Sequence, residues 1–580
     1  MLLALEYLAL DRWREAIHVL VDIAEALEPG AWNDFYLSLL RLFDHPKLLR
    51  RLPSSERRRF RNSLGLVLSR AGEQTEATAA FSELRKTSEK AGDSWGIGQS
   101  LINGGVAALY GGELDRAHGL YEAAIAHARA TADDILLCRS LTNLAQTITS
   151  SDLERAEMLL AEAEAVKERA GDVSGSVVLS LARGDLAMSG GDASAALAHY
   201  ERAVAEAAAA GLRHMQMVAT RCVGQANAGL GKYKEAFSSF AAARKLGREE
   251  EFTDQYIPLV EAEALARLQA KHYLRAEKLF REAADLHKER NNKTAALIAR
   301  HDAGVAALLS GRPDAALPHL LTAGLAARDA LEPWWEARCA VDASYAAMDT
   351  AERRRLLRNA TRYALASRDP ELQVEVAHAA AIAAFRDNDY EAADRELVRA
   401  MPLTAEPDFR TGLLVDRFYV AVEAGWPRRA ENRFEEARTV AAARQQTSYM
   451  VDLHTAAGDW LWEQAGSKRT TASEAYAVAL LEATKIDIET AIQVGSHHVR
   501  RLIFADPAER QALRASTRAW MEKQSEGGGL VDFVVWPFDA ADEIGPTVAS
   551  RRALSAECIS SALATALEAA IASVQSPVAE

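Results

Sequence analysis

The chain has 580 residues, 49% of them hydrophobic and 26% charged, with only 15 prolines. One compact core stops growing well below that length, so the chain is either several domains or one elongated array, and its composition excludes disorder. Its 68 basic side chains against 82 acidic ones leave a net charge of −14, which argues against wholesale binding to nucleic acid or an anionic membrane.

Cys138, Cys222, Cys339 and Cys558 lie far apart and none belongs to a CxxC pair. They predict neither a disulfide framework nor a zinc site, but small buried hydrophobes in a reducing, cytoplasmic setting. The opening "MLLALEYLALDRWREAI" lacks a basic leader and passes into charged amphipathic sequence, so no signal peptide is expected. No uncharged apolar run reaches about 18 residues, and no transmembrane helix is expected.

From the start of the chain a pattern recurs. "DRWREA" (Asp11 to Ala16) is its first trace. A small turn residue is followed five positions later by alanine, four later by a bulky apolar residue, and three later by alanine again. Gly72 leads to Ala77 and Phe81, Gly112 to Ala117, Tyr121 and Ala124, and Gly191 to Ala196, Tyr200 and Ala203. The pattern continues from Gly231, Lys271, Gly311, Asn388 and Gly425, and a copy without the glycine runs through Ala156, Leu160 and Ala163. The central alanines at 77, 117, 156, 196, 236, 276 and 316 are spaced by 40, 39, 40, 40, 40 and 40 residues. A degenerate copy is expected between 316 and 393, near "MDTAERRRLLRNATRYAL".

Twelve residues before the central alanine stands another small residue: Gly65, Gly105, Gly184, Gly224, Ala264, Gly304 and Ala381. Each unit is therefore two antiparallel helices joined at the turn residue, with the small residue of the first meeting the alanine of the second. Glycine inside a helix costs about 1 kcal/mol against alanine, so its return at one register position implies that a side chain would clash there. Two helices cannot bury these faces alone, and stacked neighbours can.

This small–bulky spacing resembles the tetratricopeptide repeat, over roughly residues 1 to 440, with a period of 40 in place of the usual 34. Forty-residue versions resemble the sensor solenoids of large bacterial regulators and kinesin light-chain-like adaptors. The resemblance implies an all-α, right-handed solenoid of antiparallel hairpins. It also implies a protein or peptide ligand along the concave surface lined by the first helices. The positions it nominates are Asn103, Arg183, Asp185, Arg221, Gln225, Glu261 and His301, a mixed-charge set unlike a lysine/asparagine clamp for a C-terminal carboxylate.

Beyond the repeats, the expected organisation is a solenoid over 1–445 and a C-terminal helical cap or small domain over 446–580. Helices are expected over 446–466, from Ala472 to about Val494, over 505–524 with Asp506 as cap, and from about Val548 to Val574, ahead of a frayed tail. "LVDFVVWPF" (Leu530 to Phe538) reads as the one strand-like run.

The sequence carries none of the phosphate-loop, dinucleotide, zinc-protease or nucleophile-elbow motifs, so neither enzyme activity nor a cofactor or metal is expected. "GSHHVRRLIF" reads as a polar helix end, where His497, His498, Arg500 and Arg501 favour the negative helix terminus, since adjacent histidines point about 100° apart and chelate poorly. A cysteine-nucleophile reading of Cys558 with these histidines lacks the expected His-Gly. Trp334 and Trp335 cannot both face one core, and one is a candidate interface anchor.

Two arginine clusters stand out: Arg50, Arg51, Arg57, Arg58, Arg59 and Arg61, and then Arg353, Arg354, Arg355 and Arg358. They are solvated helix faces or docking patches; nucleic acid is disfavoured because no aromatics are interleaved. The expected function is a non-enzymatic scaffold or sensor. The alternatives are a regulatory subunit with an effector in 470–580, or a defence or signalling subunit that uses the arginine clusters.

Overall fold

A computed structural model describes residues 6–7, 10, 12–26, 33–249, 256–290, 292–464, 466, 468–524 and 529–548. The first helices are α1 (Trp13–Ala26), α2 (Asn33–Phe43) and the single turn α3 (Pro46–Leu49). Hairpins then follow in strict succession: α4 (Ser54–Arg70) with α5 (Gln74–Ala91), α6 (Ser94–Tyr110) with α7 (Leu114–Thr131), α8 (Asp134–Ile148) with α9 (Leu153–Ala170), and α10 (Val173–Ser189) with α11 (Ala193–Ala209). Next come α12 (Arg213–Gly229) with α13 (Tyr233–Glu249), α14 (Tyr256–Gln269) with α15 (Tyr273–Glu289), and α16 (Lys293–Leu309) with α17 (Pro313–Asp329). The last are α18 (Pro333–Ala346) with α19 (Thr350–Ser367), α20 (Pro370–Arg386) with α21 (Tyr390–Ala400), α22 (Pro407–Glu423) with α23 (Pro427–Ala443), α24 (Thr447–Glu463) with α25 (Lys468–Ala483), and then α26 (Ile488–Leu502), α27 (Pro507–Gln524) and α28 (Gly529–Val548). The described residues form two compact units, the first ending at Ala326 and the second beginning at Ala327.

The expected all-α, tetratricopeptide-like solenoid is what the chain forms. Aspartates cap many of the helices: Asp93 accepts from the Gly96 amide (3.1 Å), Asp133 from Leu136 (2.9 Å) and Asp192 from Ala195 (2.9 Å). The turn residues have left-handed backbone, as at Gly191 (φ 81°), and Lys271 adopts the same conformation at φ 59°. A Cβ in that region costs about 1–2 kcal/mol. Lys271→Gly is expected to raise the urea midpoint, by roughly 0.5–1 kcal/mol after the added freedom of the unfolded chain is deducted.

The inner register behaves as the spacing predicts. A methyl group on Gly65 would stand 2.6 Å from the Phe81 ring, and at Gly105, Gly184 and Gly224 it would strike Tyr121, Tyr200 and Phe240. The central alanines Ala77, Ala117, Ala156, Ala196, Ala236, Ala276 and Ala316 are fully buried. The degenerate copy lies in α18–α19, and Cys138, Cys222 and Cys339 are buried and unbonded.

The region after 446 differs from expectation in two respects. The helix expected from Ala472 to Val494 is two helices, because Asp487 caps a new one through the Thr490 amide (2.6 Å). "LVDFVVWPF" lies within helix α28. Val531, Val534, Val535, Trp536 and Phe538 are all buried there, and packing against α25–α27 overrides the strand preference of valine. The hairpin register also continues in α24–α25, where Gly458 faces the Tyr476 ring. The expected terminal helix, the frayed tail and Cys558 lie outside the described residues. Among the described residues, no helix is long and apolar enough to cross a membrane.

Candidate interaction face

The even-numbered helices α4 to α26 are the first helices of their hairpins, and polar side chains link one to the next at intervals near the repeat length. Asn103 of α6 donates to Asn62 of α4 (3.0 Å), and Gln146 of α8 donates to Asp185 of α10 (3.3 Å). In the second unit Arg338 pairs with Glu375 (2.5 Å), His378 with Asp416 (2.8 Å), and Arg501 with Asp459 (3.2 Å).

A Gly-Asp pair organises this ladder in both units. The Tyr200 ring lies over Gly184 and its hydroxyl donates to Asp185 (2.7 Å); the Tyr476 ring lies over Gly458 and its hydroxyl donates to Asp459 (2.6 Å). The next first helix supplies a guanidinium each time, from Arg221 or Arg501. Burial pushes the Asp185 carboxyl up, despite hydrogen bonds from Tyr200 and Gln146. Burial also opposes ionisation of Asp459. There the hydrogen bonds from His497 and Tyr476 and the charge of Arg501 outweigh it, so its carboxyl stays below the usual range.

The nominated residues divide according to this geometry. Asn103, Asp185, Arg221 and Gln225 belong to the ladder, with Arg221 donating to Gln225 (3.1 Å). Arg183 is held by Glu157 (2.6 Å), and Glu261 pairs with His287 (2.8 Å). His301 is 6% exposed and sits against Asp302, so it is a buried residue and not a groove contact. Trp334 is 36% exposed and donates its indole N–H to Asp369 (2.8 Å), with the half-buried Trp335 packed edge-on at 4.9 Å.

Most of the clustered arginines are engaged in tying hairpins together. Arg58 pairs with Asp93 (2.5 Å), Arg59 with Asp22 (3.1 Å), and Arg61 with Asp44 (2.7 Å) and Glu83 (3.0 Å). Arg57 donates to the Leu52 carbonyl (3.3 Å). Arg353, itself buried, and Arg354 both reach Asp387 (2.9 and 3.0 Å), and Arg355 meets Glu352 (3.5 Å). Arg50, Arg51 and Arg358 are exposed.

The two adjacent histidines separate. His497 faces Asp459 (3.3 Å), whereas His498 is not at a polar helix end: it is 1% exposed, stacked on Tyr476 at 4.5 Å and edge-on to Phe538 at 4.9 Å. Among the described residues, no group of three His, Cys, Asp or Glu is placed to hold a metal ion.

Sequence reasoning missed the deepest concavity of the second unit. A cleft of about 460 Å³ runs between α22, α24 and α26, lined among others by Tyr419, Glu423, Asp452, Trp460, Thr490 and His497. Its only sequence signal was the Gly-Asp pair at 458–459, followed 18 residues after the glycine by Tyr476, as Gly184 is followed 16 residues later by Tyr200.

No family model matches the chain, and no curated protein matches it in sequence. Solved structures resemble it. A signal-transduction ATPase of the STAND class with a tetratricopeptide repeat sensor, from Pyrococcus horikoshii, matches 59% of this chain at 15% identity and a TM-score of 0.43. The match spans 54% of that protein's length. RapI in its apo form matches 67% of this chain and 98% of its own at 10% identity and a TM-score of 0.44. A Rap protein complexed with competence and sporulation factor matches 60% of this chain and 98% of its own at 13% identity and a TM-score of 0.39.

Proposed function

We propose that the chain is a non-enzymatic scaffold or sensor that binds a protein or peptide partner along the face formed by its first helices. The observation that carries this reading is the character of that face. Successive first helices are held in register by the polar ladder, so the face is pre-organised. Between α22, α24 and α26 it opens into a cleft with an exposed tyrosine and polar groups that the fold itself leaves unused. A rigid surface with aromatic anchors and free polar groups suits an extended or helical segment. The arginine clusters support a nucleic-acid reading poorly, since most of their guanidinium groups already pair with carboxylates of neighbouring helices.

The test is affinity capture by the full chain from the lysate of its source organism, compared with Arg221→Glu in the first unit and Tyr419→Ala in the second. A partner lost or depleted at least fivefold with either variant supports the reading. A partner retained equally by both overturns it.

A further inference from the structure

The cleft of the second unit has two unlike ends. At one, Asp459 and Glu463 are already matched: Asp459 accepts from Tyr476, His497 and Arg501, and Arg501 also pairs with Glu463 (3.2 Å). The positive charge there is neutralised. At the other end Asp452 of α24 and Glu423 of α22 line the cleft with no cationic partner among the described residues. Crowding by the cleft walls pushes the Asp452 carboxyl up, and no basic neighbour brings it back. Beside these carboxylates stands Tyr419, 39% exposed and with a hydroxyl that makes no hydrogen bond among the described residues, and Trp460 lines the same cleft.

Each chemical class of occupant meets these walls differently. An anion would face two uncompensated carboxylates, while the one nearby guanidinium is already shared by Asp459 and Glu463. An apolar side chain would strip water from Asp452 and Glu423 and return nothing. A cation satisfies all the groups at once, through charge-assisted hydrogen bonds to the carboxylates and attraction to the aromatic faces.

We propose that the Tyr419–Glu423–Asp452–Trp460 end of this cleft is a receptor for a lysine or arginine side chain of the bound partner segment. The inference rests on the proposed binding of a partner to the first-helix face and specifies what part of that partner is read.

The experiment is fluorescence anisotropy with the full chain and four labelled nonapeptides. Each peptide has a serine–glycine background and four identical guest residues: lysine, arginine, glutamine or glutamate. The lysine and arginine peptides are expected to bind and the other two not. Asp452→Asn with Glu423→Gln is expected to weaken the basic peptides about tenfold or more, and Tyr419→Leu, which leaves every charge in place, by a few-fold. Neutralising two exposed carboxylates of the first unit, Asp115→Asn with Glu201→Gln, should leave the Kd within about twofold. Failure of the basic peptides to bind, equal binding of the glutamine peptide, or equal losses in the cleft and control variants would each overturn the inference. A glutamate peptide whose binding is lost in Arg221→Glu would remove the basic-residue receptor and leave partner binding on the first-helix face intact.

Discussion

Between pH 7 and pH 5 the second unit is expected to lose about 4 kcal/mol of stability through two buried histidines, His454 and His498. His498 is enclosed by Tyr476, Trp462 and Phe538, with only the Ser473 hydroxyl at 3.3 Å from its Nε2. His454 is 7% exposed and edge-on to Phe434 at 5.2 Å. Burial disfavours the imidazolium, lowering His498 to about 3 and His454 to about 4 from an ordinary 6.5. Both groups are depressed in the folded state, so their contribution is fully present above pH 6.5, where neither state binds the proton. It falls below pH 6.5, as the unfolded chain takes up protons that the native chain refuses, and is exhausted near pH 3–4. Each histidine contributes about 2 kcal/mol to the loss by pH 5. Urea midpoints followed by tryptophan fluorescence at the two pH values measure it, with Trp462 beside His498 as reporter. His498→Phe keeps the aromatic box filled and removes one proton site, so it should cut the pH dependence by about half. An unchanged dependence in that variant would contradict the assignment.

Gly184→Ala is expected to destabilise the first unit by roughly 1–3 kcal/mol, although alanine is the better helix former by about 1 kcal/mol. The added methyl group would overlap ring carbons of Tyr200, and that ring cannot slide away without giving up its hydroxyl bond to Asp185. Gly119→Ala, in the interior of α7 with nothing within 4 Å of the new methyl group, should instead stabilise by about 0.5–1 kcal/mol. Opposite signs for the two substitutions in thermal melts would establish that the repeated first-helix glycine is fixed by the neighbouring ring and not by helix propensity. Stabilisation by both would show that the ring packing contributes little.

The hairpin array is legible in the sequence because its packing is local. A small residue and an aromatic sixteen positions apart fall on facing helices of one hairpin, and a single register error would place a ring against a side chain. Pairing between hairpins is not legible in this way. Arg58 and Arg353 sit in conspicuous basic runs, yet their carboxylates, Asp93 and Asp387, lie 35 and 34 residues further on and belong to neighbouring helices. The copy at Gly458–Tyr476 escaped because its central alanine, Ala472, follows Ala430 by 42 residues and breaks the 40-residue register. Val531 to Phe538 misled for a different reason: strand preference reports a half-buried surface, and this segment is a helix buried on several sides. Of the ligand positions, Arg221 and Gln225 were found by their offset from Gly224. His301 has the same offset from Gly304 as Arg221 has from Gly224, yet it is buried.

The central claim, that a partner lies along the first helices, is tested most directly by site-specific photo-crosslinking in the full chain. A photoreactive phenylalanine analogue would replace Gln225 or Tyr419 on the first-helix face, or the exposed second-helix residues Glu201 or Arg438. After irradiation in source lysate, adducts of a common partner are expected from Gln225 or Tyr419 and not from Glu201 or Arg438. Adducts that form only from the second-helix positions would contradict the account and place the binding surface on the opposite side of the hairpins.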